Sequence, residues 1–348
     1  MTIGIIMSIA GLWRQRSLMI DIIIPIYHSR KTLPNVLGSL ELQIYKEFFI
    51  TLVQDCDGED YSDIIEEYTQ RGLKIELLPL EKNVGPGLAR QAGIDHDTTS
   101  EYLMLCDSDD MVMPQAIEAL YRGMVMNKLD IISSSFVRHQ KDTNLLQDVS
   151  TTPITWCAGK MYRAQYLREN NIRFHPQLRL NEDSYFNVVA WNATKKRGQL
   201  HEITVLMMDN PDSLTRKDGL KGFFEKGWEQ YILSQADGLR EIFKQTLYMN
   251  PAIAARTLVY LYNECMVALR FNKDTSKAKE YLKKLDTQWM HDCIGTMEFW
   301  QEIENSCKGI NFFDNEVIFP KISFDKWLEW WLKRPKQQEL KHESEQVK

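Results

Sequence analysis

Ile20 to Ile26 reads Ile-Asp-Ile-Ile-Ile-Pro-Ile, an apolar and mostly β-branched run with almost no polar interruption. A strand with one wet face alternates polar and apolar residues, so a near-continuous run marks a strand buried on both faces. Such strands belong to parallel sheets covered by helices, which constrains the fold more than any other stretch of this chain.

The pattern downstream repeats the theme. Leu33 to Gln43 shows helical spacing, with Leu33, Val36, Leu37 and Leu40 on one side. Phe48 to Val53 predicts a second strand, Tyr61 to Gln70 a helix, and Lys74 to Leu78 a third strand. A helix over Gly87 to Asp95 is entered through Asn83-Val84-Gly85-Pro86 and followed by a strand over Glu101 to Cys106. Pro114 to Asn127 predicts a helix and Asp130 to Ser135 a fifth strand. The alternation predicts an α/β fold, an open and mostly parallel sheet flanked by helices. From about Lys221 strand-like runs become scarce, and Phe223 to Phe243, Pro251 to Arg270 and Thr275 to Leu285 carry helical patterns. The expected organisation is a leader over residues 1–18, an α/β domain over 19–220, a helical C-terminal subdomain over 221–335 and a polar tail over 336–348.

A hydrophobic share of 44% with 26% charged residues excludes a disordered or fibrous chain. The net charge of -6 weighs against a broad nucleic-acid-binding surface, though a local basic groove stays open. The six cysteines are scattered and form no C-x-x-C pair, which argues against a zinc site and suits a reducing, cytoplasmic setting. The apolar start, Met1 to Ala10, is too short to span a bilayer, and its positive charges follow rather than precede it. Phe324 to Leu332 carries three tryptophans. It reads as cover for an apolar face, with a dimer contact or attachment to the inner membrane surface as alternatives.

Asp55, Asp57, Asp107 and Asp109 all fall at carboxyl ends of expected strands, where open α/β sheets bind ligands. Four acids collected there without matching bases repel one another unless a cation neutralises them. Asp107 and Asp109 stand at i and i+2 of an extended segment and so point the same way. Together they suit a magnesium or manganese ion, which takes one or two carboxylates and completes its shell with water and phosphate. The competing reading is an acidic turn in which Asp109 or Asp110 caps the helix after Met113-Pro114.

In several ordered blocks the chain resembles the family 2 glycosyltransferases of the GT-A fold, over roughly Met19 to Lys217. The blocks are Ile24-Pro25-Ile26-Tyr27, Val53-Gln54-Asp55-Cys56-Asp57-Gly58, Asn83 to Gly93, Leu105 to Asp110, Trp156 to Arg163 continuing to Asn181-Glu182-Asp183, and Asn210 to Arg216. His28 stands where the family usually has Asn, and Gln54 replaces the first acid of its second block. The resemblance implies an inverting transfer of a sugar from a nucleotide-diphosphate sugar, UDP-sugar above all, with Mn²⁺ or Mg²⁺ as cofactor. It implies that Pro25 and Tyr27 line the base pocket and that Asp55 accepts from the uracil imide. Asn83, Gly85 and Arg90 would shape the nucleotide pocket. Asp107 and Ser108 would lie along the nucleotide, Asp107 shared between ribose and metal, and Asp109 would be the main metal ligand.

Transfer also needs a base for the acceptor hydroxyl and a counter-charge for the departing diphosphate. Asp183 is the first choice as base and Glu182 the second, against a capping role at the start of a helix. Arg216 or Lys217 would face the diphosphate. Trp156, Gly159 and Lys160 would line the acceptor side, with Trp156 equally suited to a core position. His28, His175 and His201 read as half-buried or surface histidines before they read as metal ligands. The acceptor would be a glycan, a lipid-linked sugar or another macromolecule. Rival functions are a metal-dependent nucleotidyltransferase, a non-catalytic nucleotide-sugar-binding protein, and sugar transfer to a modified DNA base.

Overall fold

Ile20–Ile26 forms β1, the strand with hydrogen-bonded neighbours on both sides at the centre of the N-terminal sheet region. It pairs in parallel with β2 (Phe48–Gln54) and with β4 (Tyr102–Leu105), while β3 (Ile75–Pro79) pairs with β2. This computed structural model describes residues 20–96, 99–140, 145–149, 155–208, 210 and 296–310, with scattered positions between 230 and 259. Ile20, Ile22, Ile23, Ile24 and Ile26 are fully buried, and each such side chain contributes about 1.5–3 kcal/mol by leaving water. Asp21 is tolerated in the same strand because Thr51 Oγ1, from β2, donates to its carboxylate at 2.9 and 3.0 Å.

Helices α1 (Leu33–Glu41), α2 (Ser62–Gln70), α3 (Pro86–His96) and α4 (Ala116–Asn127) occupy the crossovers expected from the sequence. Past β4 the sheet changes character. The next strand in space is β8 (Lys160–Arg163), antiparallel to β4, followed by β6 (Ile131–Gln140), β9 (Arg197–Met207) and β5 (Met111–Val112). β7 (Leu145–Val149) pairs with β6. Among the described residues these nine strands make one sheet in which six strands share a direction. Because β8 runs against β4, its first residue lies at the edge where β4 ends. That reversal brings residues 156–160 to the site, and the sequence pattern does not show it.

Two short helices follow, α5 (Ala164–Glu169) and α6 (Glu182–Asn192). The chain divides into two compact units, Met1–Phe223 and Phe224–Lys348. In the second, α7 (Met297–Ile310) buries Phe299 and starts beside Thr296, whose Oγ1 accepts from the Phe299 amide at 3.3 Å. The described positions within Phe223 to Phe243 and Pro251 to Arg270 are helical, as the sequence predicts. The leader, Thr275 to Leu285, the Trp-rich segment Phe324 to Leu332, the polar tail, and Arg216 and Lys217 lie outside the described residues. No helix among the described residues is long and apolar enough to cross a membrane.

Candidate active site

The carboxyl ends of β1, β2 and β4 converge because the parallel register sets Ile26 beside Gln54 and Ile23 beside Leu105. The loop after β1 presents Tyr27, 51% exposed, with its ring edge-on to His28 at 4.4 Å between centroids. After β2, both oxygens of Asp55 are engaged, by the amides of Val84 (2.7 Å) and Gly85 (2.8 Å). Asn83 Nδ2 donates to the Asp55 carbonyl at 3.2 Å. Asp55 therefore holds the turn into α3, a turn that requires Gly85 because its φ is +87°. Asp57 accepts from Gln54, Tyr61 and the amides of His28 and Glu59. Burial opposes its charge, but these hydrogen bonds outweigh burial and keep the carboxyl below its usual range. The sequence-level expectation that a cation must neutralise all four acids is thus corrected. Asp55 and Asp57 are satisfied by protein donors.

The remaining acids form one cluster: ligand oxygens of Asp107, Asp109 and Asp110 lie within 4.8 Å of one another. The capping alternative fails for both candidates. α4 starts after Gln115 with no side-chain cap, and β5 intervenes. Asp110 is buried and accepts from the Met208 amide at 3.2 Å, tying the loop to the end of β9. Asp109 Oδ2 accepts from Asn210 at 2.9 Å, and Ser108 Oγ shares a hydrogen bond with Ser29 Oγ at 2.9 Å. Three oxygen donors of this kind fit a hard divalent cation rather than a soft one.

Arg90 is 5% exposed and bridges two acids. Its Nη2 donates to Asp107, and its Nη1 donates to Glu182 at 2.9 Å. Burial opposes the guanidinium charge, but the carboxylates, Asp107 first, hold its proton more firmly than usual. Arg90, which the resemblance places at the nucleotide pocket, has its guanidinium on these two carboxylates. Glu182 reaches it because α6 passes very close to α3: a Cβ on Gly87 would stand 2.6 Å from Glu182 Cγ. Asp183, next in α6, accepts from the Ser184 amide at 2.7 Å. Burial, reinforced by the neighbouring Glu182 charge, pushes Asp183 up to about 7. Of the two acids, Glu182 is tied to a guanidinium and Asp183 is poised to exchange a proton near neutrality.

A sequence model of the family described as "Glycosyl transferase family 2" matches residues 21–187, the stretch that contains all these groups. Residues 21–187 are a family 2 glycosyltransferase domain. The chain is 26% identical over 218 residues to "Uncharacterized glycosyltransferase EpsJ" of Bacillus subtilis, covering 57% of this chain and 63% of that protein. It is 27% identical over 187 residues to the poly(ribitol-phosphate) β-N-acetylglucosaminyltransferase TarS of Staphylococcus aureus, covering 49% of this chain and 32% of TarS. The chain thus spans less than two thirds of these relatives' lengths. In fold it is similar to S. aureus TarS 1-349 in complex with UDP, at a TM-score of 0.55 and 19% identity over 84% of this chain and 82% of that one. A mannosyltransferase of Pyrobaculum calidifontis in complex with GDP-Man and Mn²⁺ aligns at a TM-score of 0.50 and 13% identity, over 89% and 94% of the two chains. Divalent metal is common among GT-A enzymes, and the acidic cluster here is of that kind.

Within this glycosyltransferase domain the acceptor-side residues separate. Trp156 is half-buried, stacked on Phe136 at 5.0 Å, with the Arg138 guanidinium 4.7 Å from its ring. The Gly159 carbonyl accepts from Ser134 through both N and Oγ, each at 2.8 Å. Lys160, read from sequence as an acceptor contact, is fully buried, and its Nζ donates to the Trp156 carbonyl. It cannot touch an acceptor from there. His175 packs edge-on against Tyr185, His201 is exposed on β9, and His28 Nδ1 donates to Glu59 Oε1 at 3.0 Å. Sequence reasoning missed Arg179, which donates to Asn83 Oδ1 (3.1 Å) and O (3.2 Å), so that the segment before α6 grips the nucleotide-side turn. A lone arginine in a loop gave no signal. It also missed Asn187, visible in principle as the residue one helical turn beyond Asp183.

Proposed function

We propose that this chain is an inverting glycosyltransferase that moves a sugar from a nucleoside-diphosphate sugar, a UDP-sugar by preference, to a hydroxyl of a glycan or other polymeric acceptor. The observation that carries this reading is the pairing of a triple-carboxylate cluster with a separate, half-buried Asp183 whose carboxyl is pushed up to about 7 by burial and by Glu182. Asp109 and Asp107 would hold Mn²⁺ or Mg²⁺, which when bound stabilises negative charge on the departing diphosphate. Tyr27 offers an exposed ring for a nucleobase, and the Asp55-held turn shapes the floor beside it. Asp183 takes the proton from the acceptor hydroxyl as it attacks in line with the leaving group, which inverts the anomeric centre. Arg90 keeps Glu182 and Asp107 in place while this happens. The preference for UDP and for a polymer acceptor rests on the likeness to TarS, a poly(ribitol-phosphate) β-N-acetylglucosaminyltransferase with a structure in complex with UDP.

The test is nucleoside-diphosphate release from a panel of nucleotide sugars, with and without Mn²⁺ or Mg²⁺ and with polymeric acceptors. Asp183→Asn is expected to slow turnover about a hundredfold to ten-thousandfold, the usual worth of a general base. Asp109→Ala is expected to abolish the metal dependence. Release of pyrophosphate in place of nucleoside diphosphate would replace this reading with nucleotidyl transfer.

A further inference from the structure

Residues 173–181, between α5 and α6, run along α3 as a strap with an exposed arginine near each end. Near its start, Arg173 Nη1 and Nη2 donate to Asp95 Oδ1 (3.0 Å) and Oδ2 (2.5 Å), by the carboxyl end of α3. Near its end, Arg179 crosses to the turn before α3 and donates to Asn83 Oδ1 (3.1 Å) and to the Asn83 carbonyl (3.2 Å). Arg173 thus fastens the strap to the side of a helix. Arg179 fastens it to a turn at the carboxyl ends of the parallel strands, where sheets of this kind bind ligands. Asp55 takes the Val84 and Gly85 amides of that turn, and Asn83 Nδ2 donates to the Asp55 carbonyl. With its Oδ1 on the guanidinium and its Nδ2 on Asp55, the Asn83 side chain is held in one orientation. The aliphatic stem of Arg179 also covers Gly85, where a Cβ would stand 3.4 Å from Arg179 Cγ.

Resting on the reading of this domain as a nucleotide-sugar enzyme, we infer that Arg179 is a positioning residue for the nucleotide: it holds Asn83 and the Gly85 turn in the shape that receives the nucleoside diphosphate. A turn ordered in advance spares the ligand the free energy of ordering it, so the effect appears in affinity. The planar guanidinium suits this task, because its fixed fork reaches both acceptors of Asn83 at once. The base side of the site does not depend on Arg179. Glu182 is held by Arg90 at 2.9 Å, and the Asp183 carbonyl accepts from Asn187 Nδ2 at 2.9 Å. Asn187, fully buried, also donates to the Thr155 carbonyl at 3.2 Å, which ties the first turn of α6 to the segment before β8. The strap has its own anchors as well. Phe174 and Leu178 are buried, Phe174 stacks on Phe186 at 4.2 Å, and its amide donates to Gln91 Oε1 at 2.9 Å. Loss of Arg179 therefore leaves the strap and α6 in place and frees only the turn.

The experiment is calorimetric binding of UDP, GDP, CDP and ADP, with Mn²⁺, to the full chain and to Arg179→Met, Arg179→Lys and Arg173→Met. Arg179→Met should weaken the best-bound nucleotide about tenfold. Arg179→Lys should recover only part of this, since an ammonium has no fixed fork. Arg173→Met removes the same charge and two hydrogen bonds of the same strap, and should leave affinity within about twofold. In turnover, Arg179→Met should raise KM for the nucleotide sugar by the factor seen in binding and keep kcat within about twofold at saturating donor. In an Asn83→Ala background Arg179→Met should cost less than about threefold, because its main target is gone. Unchanged affinity in Arg179→Met overturns the inference. So does an equal loss in Arg173→Met, which would mean a loosened strap, or full recovery by Arg179→Lys, which would mean charge alone. A fall in kcat with KM unmoved would make Arg179 a prop for α6 and overturn it too. If Arg179→Met does not fold, Arg179→Gln is read by the same outcomes. A wild type that binds none of the four nucleotides removes the nucleotide-sugar reading and this role with it. Tight binding by the wild type and by Arg179→Met alike removes the role of Arg179 alone.

Discussion

Along β1, β2 and β4 the buried positions are nearly all apolar, whereas β6, β8 and β9 bury Ser133, Ser134, Ser135, Lys160 and Thr204 just as deeply. The first region is held by area: isoleucines, leucines and valines removed from water, with Asp21 and Thr51 as a matched polar pair. The second is held largely by hydrogen bonds between buried polar groups, such as that between the hydroxyls of Ser134 and Thr204 and the two from Ser134 to the Gly159 carbonyl, although the Ser133 hydroxyl has no partner among the described residues. A polar interior has tighter geometric demands, because every donor left without an acceptor costs more than a lost hydrophobic contact of similar size. The β1, β2 and β4 region can thus tolerate conservative change, while the β6, β8 and β9 region holds its groups in one arrangement.

The sharpest way to break this contrast is at Arg90, where the two regions meet. Arg90→Met leaves Asp107 and Glu182 without their cation and is expected to cost about 3–5 kcal/mol in denaturant unfolding. Gly87→Ala comes next, at about 1–3 kcal/mol, since the new methyl group meets Glu182 and Phe174. Its turnover should fall as well, because Asp183 moves with Glu182. A pH–rate profile should lose about tenfold per unit below about pH 7, as Asp183 takes up a proton. A flat profile through that range would remove Asp183 as the group that limits the rate. Ser134→Ala against Ile22→Val compares the two interiors directly. The first should cost about 1–3 kcal/mol and the second about 0.5–1.5. Equal costs would erase the distinction. Arg71→Ala serves as the baseline: its bridges to Glu41 and Glu67 are surface pairs, and it should change stability by less than about 1 kcal/mol.

The same contrast governs what could be read in the sequence. β1 to β4 and α1 to α4 follow the apolar periodicity within a residue or two at most ends, because a strand buried on both faces cannot disguise itself. β8 is four residues, Lys-Met-Tyr-Arg, and its burial of a lysine contradicts the pattern by which strands are recognised. β9 mixes exposed and half-buried residues with a bulge opposite Ser134 and Ser135, so neither alternation nor a continuous run marks it. For the site, the acidic loop and the Glu182-Asp183 pair stood out as motifs. Some donors to these acids are local, as Gln54, Glu59 and Tyr61 are to Asp57, but others come across 29 to 101 residues of chain, as in His28 to Asp57 and Asn210 to Asp109. No local pattern encodes these. Lys160 was misplaced on the acceptor wall for the same reason, since a lysine is by default a surface residue.

Gly87 and Glu182 approach so closely that neither side chain can be chosen without the other. This has a consequence for building hybrid enzymes. A chimera that grafts the second half of a relative's domain onto the first half of this one, joined anywhere between α3 and α6, inherits one member of the pair from each parent. Compatibility at that single crossing, rather than overall similarity of the parents, then decides whether Asp183 keeps its place. Specificity can be exchanged between relatives as modules only when the two crossing positions travel as a matched pair.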